Sequence, residues 1–504
     1  MKKMKKTQLW LACFVFMLAG QSLFSQGLSK ESWRDISGEK YDWTKTMQPE
    51  QAYMHPYHQM QLMKIMLSYP DEKGDPVLCY TFEQVLSLVK QMDAVTRGLP
   101  KTLYLVGWQY KGHDDKYPAW FEVNNTLKRD CDATGRESLL WLAEEAKKYS
   151  THISVHVNMT DAYDDSPLWD EYLAKGFISR NTDGTPMQIG VWNGRKAYQI
   201  CYKNEWESGY AVKRIDALLE LLPFLKDAGS IMIDAFFVRN NPYEKISWEE
   251  EENYQRRIFR YFRGKGIDVT HESFNRLREG KDLFIGLTPW YLWFEATEAD
   301  YMKYPAYLTT GGASYLFAKQ FPDLTREQLQ LGFLFGMSGR GEDCFGGIDN
   351  DFLPAPDWID KYRYQFYTGT LPYVYLNRYK RENLTGKGEN RIAYYNDDLT
   401  VSLKDSTITH HKRLLRDHDD LFMPVLWRAG REYMAYSVKG YTGKTWQLPP
   451  DWSDVHSVDI YWITPAGISY KTSVACEKGT VRLSLEQDEA VSVFPSTGRY
   501  KSEL

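Results

Sequence analysis

The sequence lacks several features that would assign it to a well-known class. Only six of its 504 residues are cysteines, and no C-x-x-C pair occurs, so neither a disulfide framework nor a cysteine zinc site is expected. The formal net charge is only −5, which gives no electrostatic reason to expect nucleic acid as a partner. Neither G-x-G-x-x-G nor G-x-S-x-G is present, which argues against a dinucleotide-binding sheet and a serine esterase. His152 and His156 are four residues apart, but they lie on a predicted strand and not on a helix, so they form no helical metal-binding pair and we expect neither a metal nor a cofactor.

Long apolar runs are also missing, with one short exception at the start of the chain. Residues 1–6 carry four lysines, and an apolar run follows from Leu9 to Gly20. This run is too short to span a bilayer, and a charged region followed by such a run is typical of a signal peptide. We therefore predict a signal peptide over residues 1–25. The mature protein is expected outside the cytoplasm, in the periplasm, at the cell surface or secreted, with no membrane span.

Aromatic residues are abundant, at 15% of the chain, with 17 Trp and 36 Tyr. Such residues are bulky core material, but in an exported protein they also form faces on which sugar rings stack. Composition alone leaves both interpretations open.

The middle of the chain alternates short apolar runs with amphipathic segments. Strands are predicted at 103–107, 152–158, 230–234, 266–270 and 283–287, and helices at 136–149, 210–225 and 249–263. Alternation of this kind predicts a parallel α/β fold, and the missing glycine-rich loop favours a (β/α)8 TIM-type barrel. We place this catalytic domain at residues 76–380, after an irregular N-terminal wrap at 26–75.

The pattern changes after about residue 380. Short runs in which polar and apolar residues alternate are separated by Gly, Pro, Asp and Asn turns, which is typical of an all-β domain. We predict a small antiparallel β-sandwich over residues 381–504. Its strands are expected at 391–395, 399–403, 433–438, 457–462, 480–485 and 490–494.

Two carboxylates follow predicted barrel strands. Asp234 comes directly after the apolar run 230–233, where a carboxylate is costly unless it lies in a cleft or is paired. It could instead cap a helix, but the following Ala-Phe-Phe-Val-Arg is not a helix start. Glu272 lies one strand–helix unit later and could otherwise pair with an arginine at the rim. On adjacent strands the two carboxyls can lie about 5–5.5 Å apart, the separation that supports double displacement.

Polar and aromatic side chains follow the other predicted strands, where barrel enzymes place their substrate-binding groups. Asp114 could equally belong to a surface turn, Asn158 could satisfy loop backbone, and the tryptophans could be core. The candidates for substrate binding are His113, Asp114, Asn158, Trp192, His271 and Trp290.

Four short motifs resemble a known family. They are Gly-Trp-Gln-Tyr-Lys-Gly-His-Asp at 107–114, His-Val-Asn at 156–158, Met-Ile-Asp at 232–234 and His-Glu-Ser at 271–273. Together, over roughly residues 100–300, they resemble the endo-α-N-acetylgalactosaminidases of glycoside hydrolase family 101. These are retaining barrel enzymes that release galactosyl-β-1,3-N-acetylgalactosamine from Ser or Thr of O-glycoproteins. Family members are usually much larger, with flanking sugar-binding modules.

The resemblance implies specific roles for the candidate residues. Asp234 and Glu272 fall on the family's nucleophile and general acid/base. His113 and Asp114 would hold substrate hydroxyls, and Asn158 would contact the same sugar. Trp192 would be a stacking platform.

We therefore predict an exported retaining α-glycoside hydrolase that acts on α-linked N-acetylgalactosamine of O-glycans by double displacement. Its partner would be a carbohydrate or glycoprotein. One alternative is an exo-acting α-galactosidase or α-N-acetylgalactosaminidase. Another is a barrel that binds glycans without turnover, although carboxylates at both catalytic positions favour an enzyme.

Overall fold

A computed structural model describes residues 32–271, 282–291, 296–313, 322–347 and 352–496 of the chain. The chain divides into two compact units, Met1–Ser37 and Gly38–Leu504. The described part of the first unit contains one short 3-10 helix, Ser32–Asp35. All other elements belong to the second unit.

Five parallel strands lie side by side at the centre of the second unit. Their side chains are almost all buried, as expected for a parallel sheet with a filled interior and helices outside. In spatial order, which is also chain order, they are Gln61–Met66, Lys101–Val106, Thr151–Asn158, Ser230–Asp234 and Asp268–His271.

Shorter parallel strands continue the sheet and close it. Trp290–Tyr291 contacts Asp268–His271 and pairs with Thr309–Thr310. After Gly311, Gly312–Ala313 pairs with Ser338–Gly339. The backbone N–H of Lys64 then donates to the carbonyl of Arg340 at 2.8 Å, which joins the last strand to the first. The predicted (β/α)8 barrel is confirmed.

Helices surround these strands, and several of the long ones begin with a capping box, including those capped by Thr81, Thr134 and Ser247. No described helix is both long and apolar enough to cross a membrane. The helices are Phe82–Thr96, Gly135–Lys147, Trp169–Ala174, Tyr202–Glu207, Tyr210–Leu221, Leu225–Ala228, Trp248–Gly264, Glu298–Lys303, Pro322–Phe335, Glu342–Phe345, Trp358–Gln365 and Leu371–Leu376.

The structure corrects two sequence predictions within the barrel. Gln61–Met66 is the first barrel strand, so the segment 26–75 is not all irregular and the barrel begins before residue 76. Its polar Gln61 and Lys64 are buried, which hides the strand from an apolar pattern. The strand predicted at 283–287 is absent from the described residues there, where Phe284 has φ of 54° and Ile285 makes only one bridge.

A twelve-stranded antiparallel sheet follows the barrel and folds over on itself. Its core includes Phe422, Trp446 and Trp452, and the rings of Phe422 and Trp446 stack at 5.7 Å. This arrangement agrees with the predicted β-sandwich. The strands are Arg381–Thr385, Ile392–Tyr395, Leu399–Ser402, Thr407–His410, Arg413–Asp417, Asp420–Pro424, Tyr433–Ser437, Tyr441–Gln447, Ser457–Thr464, Gly467–Glu477, Thr480–Leu485 and Glu489–Pro495.

Candidate active site

Asp234 is the last residue of the fourth barrel strand. The strand register places it beside Asn158, the last residue of the third strand. The next residue, Ala235, has φ of 38°, an unusual conformation for a non-glycine residue. The chain therefore turns sharply after Asp234, and the side chain stays 17% exposed at the carboxyl end of the barrel, where barrel enzymes carry their chemistry.

The fully buried amide of Asn158 makes hydrogen bonds to two carboxyls. Its Nδ2 donates to Oδ2 of Asp161 at 3.0 Å and to Oδ2 of Asp234 at 3.4 Å. Its Oδ1 accepts the backbone N–H groups of Thr160 and Asp161 at 2.7 and 2.8 Å. Because these bonds occupy both donors and the acceptor, the amide has one orientation and holds Asp234 in place.

Asp234 is surrounded by groups that favour its ionised form. Nε2 of His156, a side chain only 2% exposed, lies 3.6 Å from Oδ1 of Asp234. Burial opposes ionisation of Asp234, but its interactions with His156, His113 and Lys64 outweigh burial and lower its pKa well below the usual range. A carboxylate held in the ionised form is ready to act as a nucleophile.

Two neighbouring carboxyls behave in the opposite way. Burial, reinforced by the charges of Asp114 and Asp234, raises the pKa of Asp161 well above its usual value. Burial also raises the pKa of Asp114, and the charge of Asp234 adds to that effect. Three acids thus share one site, and only Asp234 is favoured as the anion. A protonated carboxyl can both donate and accept hydrogen bonds, which suits it to sugar hydroxyls.

A buried ion cluster links the first strand to the turn after the last strand. Nζ of Lys64 lies 3.0 Å from Glu342, and Nη2 of Arg340 lies 3.1 Å from the same carboxylate. Burial opposes ionisation of Glu342, but Arg340 and Lys64 outweigh it and lower its pKa. This cluster was not predicted from the sequence, because a lysine inside an apolar strand and an Arg-Gly-Glu turn do not form a recognisable motif.

Trp192 is carried by a hairpin beside the pocket. The strands Gln188–Trp192 and Arg195–Gln199 are joined by Asn193 and Gly194, both with positive φ, as a two-residue Asn-Gly turn requires. Arg195 ties the hairpin to the loop after the second barrel strand, donating to Oδ1 of Asp115 at 2.7 Å and to the carbonyl of Asp114 at 2.5 Å. Trp192 remains 47% exposed.

A pocket of about 370 Å³ opens at this point. Its size is within the range of small-molecule sites, and it combines carboxyls, a guanidinium and exposed aromatic surface. It is lined by Asp114, Thr160, Asp161, Ile189, Trp192, Asp234, Ala235, Phe237 and Arg239. Arg239 was not predicted from the sequence; it donates to Gln199 at 2.6 Å and offsets part of the rise in the pKa of Asp161.

The structure brings five of the predicted site residues together. Asp114, Trp192 and Asp234 line the pocket, and the amide of Asn158 donates a hydrogen bond to Asp234. His113 lies 3.4 Å from Asp114, between Nε2 and Oδ2, and its ring is 5.5 Å from that of His156. The motif that follows the second strand therefore meets the ends of the third and fourth strands.

Two other predicted site residues are placed differently, and a third lies outside the described residues. His271 is fully buried, with its ring against Phe259 and Phe284. Trp290 is also fully buried, edge-on to Tyr304 at 4.8 Å, and neither residue lines the described pocket. Glu272, the predicted acid/base, lies outside the described residues.

The site contains one set of side chains that could hold a metal ion. His113, His156 and Asp234 each offer a ligand atom, and these atoms lie within 4.8 Å of one another. A metal bound there would occupy the carboxylate of Asp234 and so compete with any reaction in which Asp234 attacks a substrate.

The comparison with known families agrees with this geometry. Residues 62–285 match the endo-alpha-N-acetylgalactosaminidase family, glycoside hydrolase family 101. This segment is a glycoside hydrolase domain. The match covers the first five barrel strands and includes Asp114, Asn158, Trp192 and Asp234, less than half of the 504 residues.

Solved structures of glycosidases resemble the chain more distantly. Alpha-N-acetylgalactosaminidase NagBb from Bifidobacterium bifidum, in complex with Gal-NHAc-DNJ, is 12% identical with a TM-score of 0.50, over 79% of this chain and 62% of that chain. An alpha-amylase from Geobacillus thermoleovorans, complexed with acarbose, is 12% identical with a TM-score of 0.42, over 88% of this chain and 100% of that chain. The NagBb likeness shows a shared fold. This chain spans less than two thirds of the NagBb chain.

Proposed function

We propose that the protein is a retaining α-glycoside hydrolase that acts on α-linked N-acetylgalactosamine of O-glycans, including the core disaccharide on Ser or Thr. Asp234 is the nucleophile and Glu272 the general acid/base. The observation that carries the proposal is that Asp234 lines an open pocket together with Asp114 and Asp161. Its surroundings lower the pKa of Asp234, whereas burial raises the pKa values of the other two carboxyls. The family match over residues 62–285 supports the choice of substrate.

In the first step, one carboxylate oxygen of Asp234 attacks the anomeric carbon from the β face. The bond from that carbon to the glycosidic oxygen breaks, and Glu272 gives its proton to the departing oxygen. The product is a β-linked glycosyl ester on Asp234. His156, 3.6 Å from the carboxylate of Asp234, favours its ionised form before the attack. The amide of Asn158 keeps the attacking group oriented.

In the second step, the ionised Glu272 takes a proton from water, and the water oxygen attacks the anomeric carbon. The ester bond to Asp234 breaks and the sugar leaves with its original α configuration. Asp114 and Asp161 hold ring hydroxyls as donors or acceptors in both steps. Trp192, exposed at the pocket edge, offers the apolar face of its ring to the apolar face of the sugar.

Hydrolysis of two substrates separates this proposal from its rivals. We expect release of sugar from both p-nitrophenyl α-N-acetylgalactosaminide and the corresponding galactosyl-β-1,3-disaccharide, with the disaccharide favoured. Activity on the monosaccharide alone would indicate an exo-acting enzyme. Binding of either glycan without any turnover would indicate a non-catalytic barrel and would refute the proposal.

Azide distinguishes the two carboxyls. With Glu272→Ala and an activated aryl leaving group, the first step still occurs because little protonation is needed, and azide then releases an α-glycosyl azide. With Asp234→Ala, turnover should disappear. Azide can replace the missing carboxylate of Asp234→Ala only on the β face, so any azide product of that variant should be the β-glycosyl azide. An α-azide from Asp234→Ala together with a β-azide from Glu272→Ala would mean that the roles are reversed.

We also propose that the protein is exported, on the basis of the lysine-rich start and short apolar run of residues 1–20. The mature N-terminus of the protein recovered from outside the cytoplasm should lie near residue 26. Recovery of the full-length chain in the cytoplasm would contradict export.

A further inference from the structure

A second group of metal-ligating side chains lies in the β-sandwich, away from the pocket. Asp397 is in the turn between Ile392–Tyr395 and Leu399–Ser402, and His411 is in the turn between Thr407–His410 and Arg413–Asp417. Leu399 pairs with His410 across the two middle strands, so the two turns are neighbours at the same end of the sheet.

One ligand atom from each of the three side chains lies within 4.8 Å of the others. Nε2 of His410 lies 3.2 Å from Oδ2 of Asp397, and Nε2 of His411 lies 3.2 Å from Oδ1 of the same carboxylate. The two imidazole rings stack with centroids 4.4 Å apart. Ligands of a tetrahedral Zn²⁺ lie about 3.3–3.6 Å from one another, given metal–ligand bonds of about 2.0–2.2 Å. The two nitrogen–oxygen distances are close to this separation.

Two turns in an unusual conformation produce this convergence. Asp397 and His411 have φ of 62° and 48°, in the left-handed region that non-glycine residues rarely adopt. The backbone N–H of His411 also donates to the carbonyl of Asp398 at 3.2 Å. The turns are thus fixed to each other before any ligand binds.

His410 has the second contact that metal-bound histidines commonly need. Its Nδ1 lies 2.6 Å from the hydroxyl of Tyr375 in the last barrel helix. A tyrosine hydroxyl can accept as well as donate, so it can hold Nδ1–H and leave the lone pair of Nε2 for a metal. The His410 side chain is 6% exposed, whereas Asp397 and His411 are each 53% exposed. The ion would enter from solvent and keep at least one open coordination position.

The geometry points to a site for a divalent transition-metal ion such as Zn²⁺, formed by Asp397, His410 and His411. The ion would join two hairpin turns and, through Tyr375, fix the sandwich to the last helix of the barrel. Its role is structural, because the ligands do not line the catalytic pocket. Imidazole and carboxylate ligands together favour Zn²⁺ over Ca²⁺ or Mg²⁺, which prefer oxygen ligands alone.

Titration of chelator-treated full-length protein with Zn²⁺ by calorimetry tests the site. Since His113, His156 and Asp234 could also take an ion, the quantity compared is the number of ions bound by each variant. We expect His411→Ala and Asp397→Asn each to bind one Zn²⁺ fewer than the unchanged protein. His418→Ala is the matched control, because His418 faces only Asp417, at 2.8 Å, in another exposed turn of the same sheet, and it should bind the normal number.

Thermal unfolding with and without Zn²⁺ gives a second readout. Zn²⁺ should raise the unfolding temperature of the unchanged protein and of His418→Ala more than that of His411→Ala, because an ion bound only to the folded chain stabilises it. Equal stoichiometry and equal Zn²⁺-dependent shifts in all four proteins would overturn the proposal. So would the absence of Zn²⁺ binding by the unchanged protein.

Discussion

Replacing Asn158 with aspartate tests the carboxyl arrangement without changing side-chain volume. The new carboxyl loses both Nδ2 donor contacts, to Asp161 at 3.0 Å and to Asp234 at 3.4 Å. A hydrogen bond to a charged group contributes about 1.5–3 kcal/mol, and one between neutral groups about 0.5–1.5 kcal/mol. Because Asp161 favours the protonated form and the longer bond to Asp234 is taken at its lower limit, the free energy of unfolding should fall by about 2–3 kcal/mol at pH 7.

The pH dependence and activity of this variant follow from the same contacts. The loss of stability should shrink toward pH 5, since the added carboxyl can then take a proton and donate again. On an aryl α-N-acetylgalactosaminide, kcat/KM should fall about 10- to 100-fold, because the nucleophile loses a bond of about 1.5–3 kcal/mol. Guanidinium unfolding at both pH values and steady-state kinetics measure the two effects.

Asn124→Asp is the control for burying one new carboxyl. Asn124 is 2% exposed, but its Nδ2 donates to the hydroxyl of Ser68 at 2.9 Å rather than to a carboxyl. Its Oδ1 accepts the N–H of Thr126 at 2.9 Å, a capping role that aspartate fills well. This variant should lose less than about 2 kcal/mol. If Asn158→Asp lost no more unfolding stability than Asn124→Asp, and this loss did not depend on pH, the proposed role of Asn158 in holding the two carboxyls would be refuted.

Three further predictions concern the pocket and its support. Trp192→Ala should lower kcat/KM about tenfold, equivalent to about 1.4 kcal/mol, while unfolding stability stays within about 0.5 kcal/mol; an unchanged kcat/KM would exclude stacking. Arg214→Met should lower the free energy of unfolding in urea by about 3–5 kcal/mol, because it leaves the fully buried Glu205, 2.9 Å away, as an unpaired charge. Adding Glu205→Gln to the same chain should restore most of the lost stability. No restoration would exclude an unpaired charge as the cause. Because the pKa values of Asp161 and Asp114 are raised, these two side chains hold more protons in the folded chain than in the unfolded chain above about pH 4, and their contribution to stability is lost as pH rises. Asp161→Asn should remove its share of that pH dependence, and an unchanged dependence would contradict the raised pKa.

Local patterns in the sequence were sufficient to predict much of the fold. The predicted strands at 230–234 and 480–485 have the same bounds in the structure. The first is a short apolar run buried on both faces, and the second alternates inward and outward residues. Both patterns depend only on neighbours in the chain. The strand Gln61–Met66 was missed because its buried Lys64 is explained only by its ion pair with Glu342, which is distant in the sequence but adjacent in the closed barrel.

The candidate site was predictable only in part for a similar reason. Asp114, Asn158 and Asp234 follow strands, and strand ends meet at one face of a barrel. The raised pKa of Asp161 depends on its burial and on the neighbouring Asp114 and Asp234, which no spacing in the sequence reveals. The metal-ligating group in the sandwich likewise requires two hairpin turns to meet, although the adjacent histidines 410 and 411 are visible in the sequence.

Peptide mapping of the glycosyl-enzyme tests the central claim, that Asp234 is the nucleophile, most directly. Glu272→Ala incubated with an activated aryl α-N-acetylgalactosaminide should accumulate the covalent species, because attack proceeds and hydrolysis lacks its general base. After proteolysis, mass spectrometry should find one added sugar on the peptide that contains Asp234. A sugar on any other carboxyl, or turnover to a β product with no covalent species, would contradict the account.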